Sequence, residues 1–188
     1  YHVSQFGLNS CVISAVGEDS LGDEIVKNFT SKGLNHMIER VPYPTGTVQV
    51  EIDQAGIPQY DIKENVAWDN IPYTAHIEAI AEKTQAVCFG SLAQRNVVSR
   101  NTINRFLDAM PSGDGQLVVF DVNLRQGFYN KDILCNSMTR CNILKINDEE
   151  LVAVSRMFGY PGIDLQDKCW ILLGKYNLKM LILTCGIN

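Results

Sequence analysis

From residue 74 to the end of the chain, short apolar runs alternate with amphipathic segments. Helices are predicted near 74–84, 97–109, 131–140, 148–158 and 166–176, and strands at 86–90, 117–122, 143–146 and 180–184. The strands are continuous apolar runs, which is typical of a parallel sheet covered by helices on both faces. The pattern therefore predicts right-handed βαβ units in an α/β fold: a three-layer α/β/α, doubly wound and mostly parallel sheet.

The beginning of the chain adds one more unit of this kind. Residues 1–7 are predicted to form the last turns of a helix that closes on a glycine, and residues 11–16 a short strand. The next helix has Ser20 as its predicted N-cap and Gly33 as its C-cap. These segments join the later ones in a predicted core made of residues 1–36 and 69–188, which we expect to be incomplete at both ends.

Residues 37–68 interrupt this rhythm. Val48, Val50 and Ile52 alternate with polar residues, a turn-like stretch follows at 54–56, and residues 59–62 alternate again. A period of two predicts a β-hairpin that is half buried on one face. We therefore expect residues 37–68 to form a β-rich insertion that stands off the sheet as a lid.

Three strands of the second half run directly into polar residues. These segments are 117–125, 143–150 and 181–188. The carboxyl ends of parallel strands lie at one edge of an open sheet, and ligands bind in the crevice there. The sequence thus predicts a ligand site at this edge. Because the third segment is also where the sequence stops, we expect residues beyond Asn188 to complete the site.

The second polar segment contains Asn147 and Glu150 at the start of a predicted helix. An Asn at the N-cap with a Glu three residues later is a capping-box pattern, and this structural interpretation is sufficient by itself. The functional alternative is that both side chains orient a hydrated Mg²⁺ near nucleotide phosphates. Mg²⁺ keeps several waters and uses few carboxylates, so Glu150 acting through water would be enough.

The other two polar segments have similar alternatives. Asp121 and Asn123 follow a buried strand, where such residues commonly close a strand by bonding their own backbone. Arg125 presents planar donors that suit phosphates or sugar hydroxyls. Gly186 follows Thr184 in a loop where glycine permits close approach of the backbone to a ligand, although such loops are common.

Two further glycine segments follow strands. Residues 17–22 read G-x-D-x-x-G, with Asp19 in the centre, and Gly90 ends the strand at 86–90. The first segment lacks the central glycine of the dinucleotide fingerprint G-x-G-x-x-G, which counts against a nicotinamide-dependent oxidoreductase. A tight turn with a helix N-cap is the structural alternative.

Composition narrows the classes of partner. The net charge is −5 with no basic cluster, which argues against a nucleic-acid groove. No apolar run approaches the roughly 20 residues of a membrane span. The six cysteines lie mostly in apolar runs without a CxxC pair, so we expect reduced core cysteines and a cytoplasmic protein.

Each motif is weak alone, but together and in this order they resemble the PfkB (ribokinase-like) sugar kinases. The resemblance covers nearly the whole chain and looks closest to bacterial fructokinases. The matching stretches are VGEDSLGDEIVKNFTSKGLN (16–35), PTGTVQVEID (44–53), FGSL (89–92), VVFDVNLR (118–125), LKINDEEL (144–151) and LILTCG (181–186).

The resemblance implies a kinase that transfers the γ-phosphoryl group of ATP, with Mg²⁺, to a primary hydroxyl of a sugar, with fructose as the leading substrate. It implies a ribokinase-like fold, with a lid that pairs between subunits of a homodimer. The residues that it implicates are Asn147 and Glu150 at the Mg²⁺–phosphate site, Thr184 and Gly186 at the nucleotide, Asp19, Gly90, Asn123 and Arg125 around sugar or phosphate, and Gln94 as a weaker sugar contact.

Two family features are absent from these residues. The N-terminal glycine-rich segment would precede Tyr1, and the G-A-G-D motif, whose Asp is the catalytic base, would follow Asn188. A positioned base contributes typically 10²–10⁴-fold to a rate, so we expect these 188 residues alone to be inactive and the longer parent to be a kinase. A non-catalytic module that binds sugar or nucleotide remains an alternative. Within the family, ribose, adenosine, 2-keto-3-deoxygluconate and fructose 6-phosphate remain alternative substrates.

Overall fold

The structure, a computed structural model, describes residues 1–52, 56, 58–162 and 164–186 of the chain. Contacts divide the chain into two compact units. The first contains Tyr1–Ile77 and Asn96–Thr102, and the second contains Glu78–Arg95 and Ile103–Asn188.

The first unit contains one βαβ arrangement and one hairpin. Strands β1 and β2 pair in parallel, and β3 and β4 pair in antiparallel fashion. Residues 37–41, which the sequence pattern assigned to the inserted segment, thus belong to a parallel strand beside β1. The elements are α1 (His2–Gln5), β1 (Val12–Gly17), α2 (Ser20–Ser31), β2 (His36–Val41), β3 (Val48–Ile52), β4 (Pro58–Ile62) and a 3₁₀ turn (Ala67–Asp69).

The start of α2 differs from the prediction by one residue. Asp19, not Ser20, is the N-cap: its backbone is extended, and its side chain accepts a hydrogen bond from the Gly22 amide. Both residue types cap helices well, so composition alone does not separate them. At the other end, Gly33 adopts a left-handed φ of 62° just beyond the C-cap Lys32, which is the usual place for a terminating glycine.

The apolar side chains of β3 are exposed, whereas Ile62 at the end of β4 is buried. Val50 lies opposite Tyr60, and the side chains of Val48, Val50, Ile52 and Tyr60 are all more than half exposed. The predicted hairpin is therefore present, but the expectation of a half-buried face is wrong for β3 in this chain. The alternating pattern predicts which face of the strand is apolar, but it does not identify the surface that covers this face. The predicted turn at 54–56 lies mostly outside the described residues.

The second unit is built on a four-stranded sheet with the order β5-β6-β7-β8, in which every pair is parallel. The predicted bounds of these strands and helices agree with the structure to within about three residues, the usual uncertainty of element ends. The elements are α3 (Ala75–Ala81), β5 (Ala86–Gly90), a 3₁₀ turn (Leu92–Gln94), α4 (Val97–Ala109), β6 (Leu117–Asp121), α5 (Lys131–Arg140), β7 (Ile143–Asn147), α6 (Asp148–Phe158), α7 (Leu165–Lys175) and β8 (Met180–Thr184). Helices α3 and α4 each contain residues of both units.

One face of this sheet carries the core. Phe120 on β6 and Leu144 on β7 are fully buried against side chains from α5, α6 and α7, such as Leu134, Leu151 and Leu172. Side chains alternate across a strand, so the neighbouring positions point to the opposite face. Leu117, Met180 and Ile182, which have that opposite parity, are between 40% and 51% exposed.

All six cysteines are free thiols. Cys141 is buried as predicted, and burial raises the pKa of its thiol to about 12. The prediction of core cysteines is wrong for four others, because they flank a strand, lie on the exposed side of a helix, or lie on the sheet face that does not carry the core. These are Cys11, Cys88, Cys135 and Cys185.

Candidate functional site

The polar ends of the strands meet at one edge of the four-stranded sheet. In register, Gly90 at the end of β5 lies beside Asp121 at the end of β6, and Asn147 at the end of β7 lies beside Thr184 at the end of β8. The parallel order brings all of these ends to the same edge. The predicted convergence of the three polar segments is therefore confirmed.

The turn between β7 and α6 is a complete capping box. The Glu150 amide donates to Asn147 Oδ1 at 2.8 Å, and the Asn147 amide donates to Glu150 Oε2 at 3.1 Å. This confirms the capping interpretation of the pair. Such a cap contributes typically about 1 kcal/mol, so the two side chains have a structural role whether or not a ligand is present.

Glu150 also contacts the neighbouring strand end. Its second oxygen, Oε1, accepts a hydrogen bond from the Leu124 amide at 2.8 Å, and the residue is only 7% exposed. The local motif does not reveal this contact, because the two residues are 26 positions apart. The carboxylate therefore joins the end of β7 to the turn that follows β6.

That turn has an unusual backbone. Asn123 has a φ of 44°, which is uncommon for a residue with a Cβ, although Asn tolerates it better than most. The buried Ser91 hydroxyl, just after β5, lies 2.6 Å from the carbonyl oxygen of Val122 and 3.3 Å from that of Asn123. Arg125 follows, is exposed, and uses one Nη1 donor on the Leu124 carbonyl oxygen at 3.0 Å. Its side chain is therefore accessible to a ligand at this edge.

At the end of β5 the structure separates two predicted site residues. Gly90 is half-buried, and a Cβ there would lie 3.2 Å from the Asp121 carbonyl oxygen. Gln94 is fully buried, with its Nε2 donating to the Gly90 carbonyl oxygen and to Ser137 Oγ, both at 2.9 Å. Its amide group contributes to internal packing, so a sugar contact is less compatible with this geometry for Gln94 than for the other predicted residues of this unit.

Thr184 ends β8, and Gly186 follows it two residues later. Both residues are exposed, and among the described residues no atom lies within 4 Å of a Cβ placed at Gly186.

An ion pair joins the end of β6 to β7, and the sequence pattern did not predict it. Lys145 Nζ lies 3.1 Å from Asp121 Oδ1 and 3.0 Å from Oδ2, across neighbouring strands in register. Both side chains are partly exposed. This contact depends on the register of β6 against β7, which the apolar pattern of the two strands does not determine.

In the first unit, Asp19 has a different environment. Its Oδ1 accepts from the Gly22 amide at 2.8 Å and from Thr45 Oγ1 at 2.6 Å, and its Oδ2 accepts from the Thr45 amide at 2.8 Å. The Thr45 hydroxyl, and then the Thr45 and Gly22 amides, lower the pKa of Asp19 below its usual value. Thr45 Oγ1 also accepts from the Gly17 amide at 2.9 Å. We call this set of four residues, Gly17, Asp19, Gly22 and Thr45, the Asp19 knot.

The knot explains both glycines of the G-x-D-x-x-G segment. A Cβ at Gly17 would lie 2.5 Å from Asp19 Oδ2 and from the Tyr43 carbonyl oxygen, and a Cβ at Gly22 would lie 2.5 Å from the Gly17 carbonyl oxygen. The segment therefore marks a place where the backbone packs too closely for side chains. Sequence reasoning missed Thr45, although the residue lies in a stretch that resembles the family.

Comparison with known proteins identifies the family. A model described as the pfkB family carbohydrate kinase matches residues 2–187. The chain belongs to this family. An uncharacterized sugar kinase of Pyrococcus horikoshii is 26% identical over 158 residues, which are 80% of this chain and 50% of that protein. An ATP-dependent 6-phosphofructokinase of Thermoanaerobacterium thermosaccharolyticum is 25% identical over 186 residues, covering 96% of this chain and 55% of that protein.

The chain thus spans about half the length of the curated relatives that it matches. Solved structures show the same fold. The P. horikoshii kinase has a TM-score of 0.71 at 26% identity, covering 82% of this chain and 52% of that one. A candidate ribokinase II of E. coli has a TM-score of 0.82 at 18% identity, covering 98% and 59%. The predicted ribokinase-like α/β fold is confirmed.

Membership of a kinase family raises the question of whether this site fits Mg²⁺. No group of three or more His, Cys, Asp or Glu side chains is placed to hold a metal among the residues that the structure describes. The two Glu150 oxygens each accept one amide, which leaves each oxygen a second lone pair. This donor set fits an ion that keeps its waters and binds mainly to phosphates, as Mg²⁺ does.

Within the described ranges, no helix has both the length and the hydropathy that crossing a membrane requires.

Proposed function

We propose that this chain carries nucleotide- and sugar-binding residues of an ATP-dependent sugar kinase. The reaction would transfer the γ-phosphoryl group of ATP to a primary hydroxyl of the sugar and leave ADP. The observation that supports this most is the convergence of Asn123, Arg125, Asn147 and Glu150 at one edge of a parallel sheet.

Phosphoryl transfer depends almost wholly on positioning and electrostatics, which this edge can supply. The Arg125 guanidinium is exposed and suits bidentate contact with a phosphate or with sugar hydroxyls. Asn147 is the N-cap of an 11-residue helix and Glu150 lies in its first turn, where the helix dipole favours anions. In this proposal, Arg125 orients the transferred group, and the first turn of α6 faces the nucleotide phosphates.

ATP and Mg²⁺ are the proposed cofactors. The P. horikoshii relative has been solved in complex with ATP, and the E. coli neighbour with ATP and Mg²⁺. In this chain Thr184 and Gly186 would contact the nucleotide, and Glu150 would hold the ion through water. When bound, the ion would neutralise charge on the phosphates.

The sugar would bind near Gly90 and Asn123, and fructose is the proposed substrate because the matching stretches look closest to those of bacterial fructokinases. Fructose 6-phosphate is the strongest alternative, since one relative that aligns over 96% of the chain is a 6-phosphofructokinase. Asp19 is a weaker sugar contact than its motif implies, since three donors within the chain already occupy its carboxylate.

A homodimer through the hairpin is part of the proposal. An isolated two-stranded hairpin is marginally stable at best, and this one exposes four large apolar or aromatic side chains on one face. The hairpin of a second copy would cover them. Sedimentation of the wild type and of Val50→Lys should show a dimer and a monomer, respectively; a wild-type monomer at micromolar concentration would refute this part.

Measurement of ADP release by the native-length protein, with a panel of sugars, tests the proposed reaction. We expect turnover that needs Mg²⁺ and is fastest with fructose. Arg125→Ala should reduce kcat/KM by about 10–100-fold, which corresponds to the loss of a charge-assisted hydrogen bond. Arg156→Ala is the matched control, because Arg156 is also exposed but lies in the last turn of α6.

Several outcomes would contradict the proposal. Binding of Mg-ATP and sugar without ADP release would support a non-catalytic binding module. No response to any sugar would refute the sugar site, and equal losses in the two Arg variants would remove Arg125 from it.

A further inference from the structure

The turn after β6 is held from both sides by side chains that follow the neighbouring strands β5 and β7. On the β5 side, the Ser91 hydroxyl contacts the carbonyl oxygens of Val122 and Asn123. On the β7 side, Glu150 accepts from the Leu124 amide. Between these anchors Asn123 keeps its left-handed φ of 44°, a backbone state that persists where the surroundings fix it. The position of Arg125, the next residue but one, thus depends on two side chains outside its own strand.

Glu150 is the anchor that also contacts a second part of the edge. One oxygen accepts from the Leu124 amide and the other from the Asn147 amide, so one carboxylate holds both turns. A cation or a water network that approaches the free lone pairs polarises or shifts the same carboxylate. Any such change acts on the Leu124 amide and therefore on the turn that carries Asn123 and Arg125.

We propose that Glu150 is a positioning residue that couples occupancy of the β7–α6 turn to the affinity of the turn after β6. This inference rests on the proposed function, in which the first turn binds the nucleotide with Mg²⁺ and the second binds the sugar or the transferred phosphoryl group. Coupling between two binding sites is reciprocal, so each ligand changes the affinity for the other by the same factor.

Amide hydrogen exchange tests the bridge without any ligand. In Glu150→Gln the side-chain amide keeps one acceptor oxygen and gains a donor group, so it cannot accept from both backbone amides. We expect the Leu124 or the Asn147 amide to exchange at least about tenfold faster in this variant, as when a protecting hydrogen bond is lost. Glu149→Gln is the matched control, because Glu149 is exposed in the same helical turn and the charge change is identical.

Calorimetry tests the coupling. Fructose affinity is measured with and without Mg²⁺ and a non-hydrolysable ATP analogue, and the ratio is the coupling factor. We expect at least about fivefold in the wild type and in Glu149→Gln, as is typical of coupled sites, and a factor near one in Glu150→Gln. Ser91→Ala, which loosens the same turn from the opposite side, should also reduce the factor while leaving the Asn147 amide protected. That variant keeps the test decisive if Glu150→Gln does not fold.

The possible failures are distinct. If the wild type binds neither ligand, the proposed function fails and the coupling with it. If ligands bind but the Leu124 and Asn147 amides stay protected in Glu150→Gln, the bridge is wrong. If the coupling factor is the same in Glu150→Gln, or in Ser91→Ala, as in Glu149→Gln, the positioning role is wrong.

Discussion

Two carboxylates of this chain, Asp19 and Glu150, have similar local settings but different consequences. Each lies at a strand-to-helix turn, and each accepts hydrogen bonds from backbone amides. Asp19 binds three donors within a knot of close backbone contacts, whereas Glu150 binds two donors and links two turns that contain accessible polar side chains. The resemblance placed both near ligands. In the structure, Asp19 holds the backbone of its own turn, whereas Glu150 contacts residues of the candidate site.

The largest effect is expected from a single methyl group in the knot. In Gly17→Ala the new Cβ would lie 2.5 Å from both Asp19 Oδ2 and a carbonyl oxygen, so the turn must shift. We expect a loss of about 2–3 kcal/mol in the free energy of unfolding, the upper range for overpacking, as measured by urea titration. Gly174→Ala is the control: this glycine lies within α7 with open space around it, and the change should stabilise by about 0.5–1 kcal/mol. Equal stabilities of the two variants would refute the close packing.

The Thr45 hydroxyl should have the next largest effect. Thr45→Val removes the donor to Asp19 and leaves the Gly17 amide without its acceptor in a buried place, which should cost about 1–3 kcal/mol. Thr45→Ser keeps the hydroxyl and should recover most of this loss. If Thr45→Ser destabilises the protein and Thr45→Val does not, the methyl packing of Thr45 matters and its hydroxyl hydrogen bonds do not.

The smallest predicted effect is a change in pH dependence. Hydrogen bonds from Thr45 and Gly22 lower the pKa of Asp19 in the folded protein. Its stabilising contribution is therefore fully present above the unfolded pKa of about 3.9 and is lost as the pH falls through the lower folded value. Urea titrations from pH 6 to about pH 3 should show a flatter acid limb in Asp19→Asn than in the wild type.

The double variant Asp19→Asn with Thr45→Val supplies the control for that experiment. Without the Thr45 hydroxyl, the change at Asp19 should alter the acid limb much less. An Asp19→Asn protein with the wild-type acid limb would show that the knot does not depend on the charge of Asp19.

Local patterns of the sequence predicted the secondary structure well because each element carries its own signal. Helix α6 is an example: Asn147 and Glu150 form the cap that their spacing indicates, and the left-handed Gly159 ends the helix. The contacts that hold the two turns in place join residues that are far apart in the sequence. Leu124 with Glu150, and Thr45 with Asp19, are each 26 residues apart, and no local spacing encodes them.

Burial was harder to predict than secondary structure. The alternation of Val48, Val50 and Ile52 correctly predicted a strand, but these side chains are exposed, since none of the described residues covers them. Cys88 is similar: it belongs to an apolar strand, yet it lies on the face of the sheet that does not carry the core. An apolar pattern records the need for a partner surface and does not identify which segment or subunit supplies it.

The comparison between the two carboxylates is tested most directly by mapping ligand contacts on the amides of the ¹⁵N-labelled protein. Fructose and a non-hydrolysable ATP analogue with Mg²⁺ would be added, and the resonance of each amide followed. We predict that the resonances of Asn123, Arg125, Asn147 and Glu150 shift while those of Gly17, Gly22 and Thr45 stay in place. Shifts confined to the Asp19 knot, with none at the strand ends, would contradict the assignment of the candidate site.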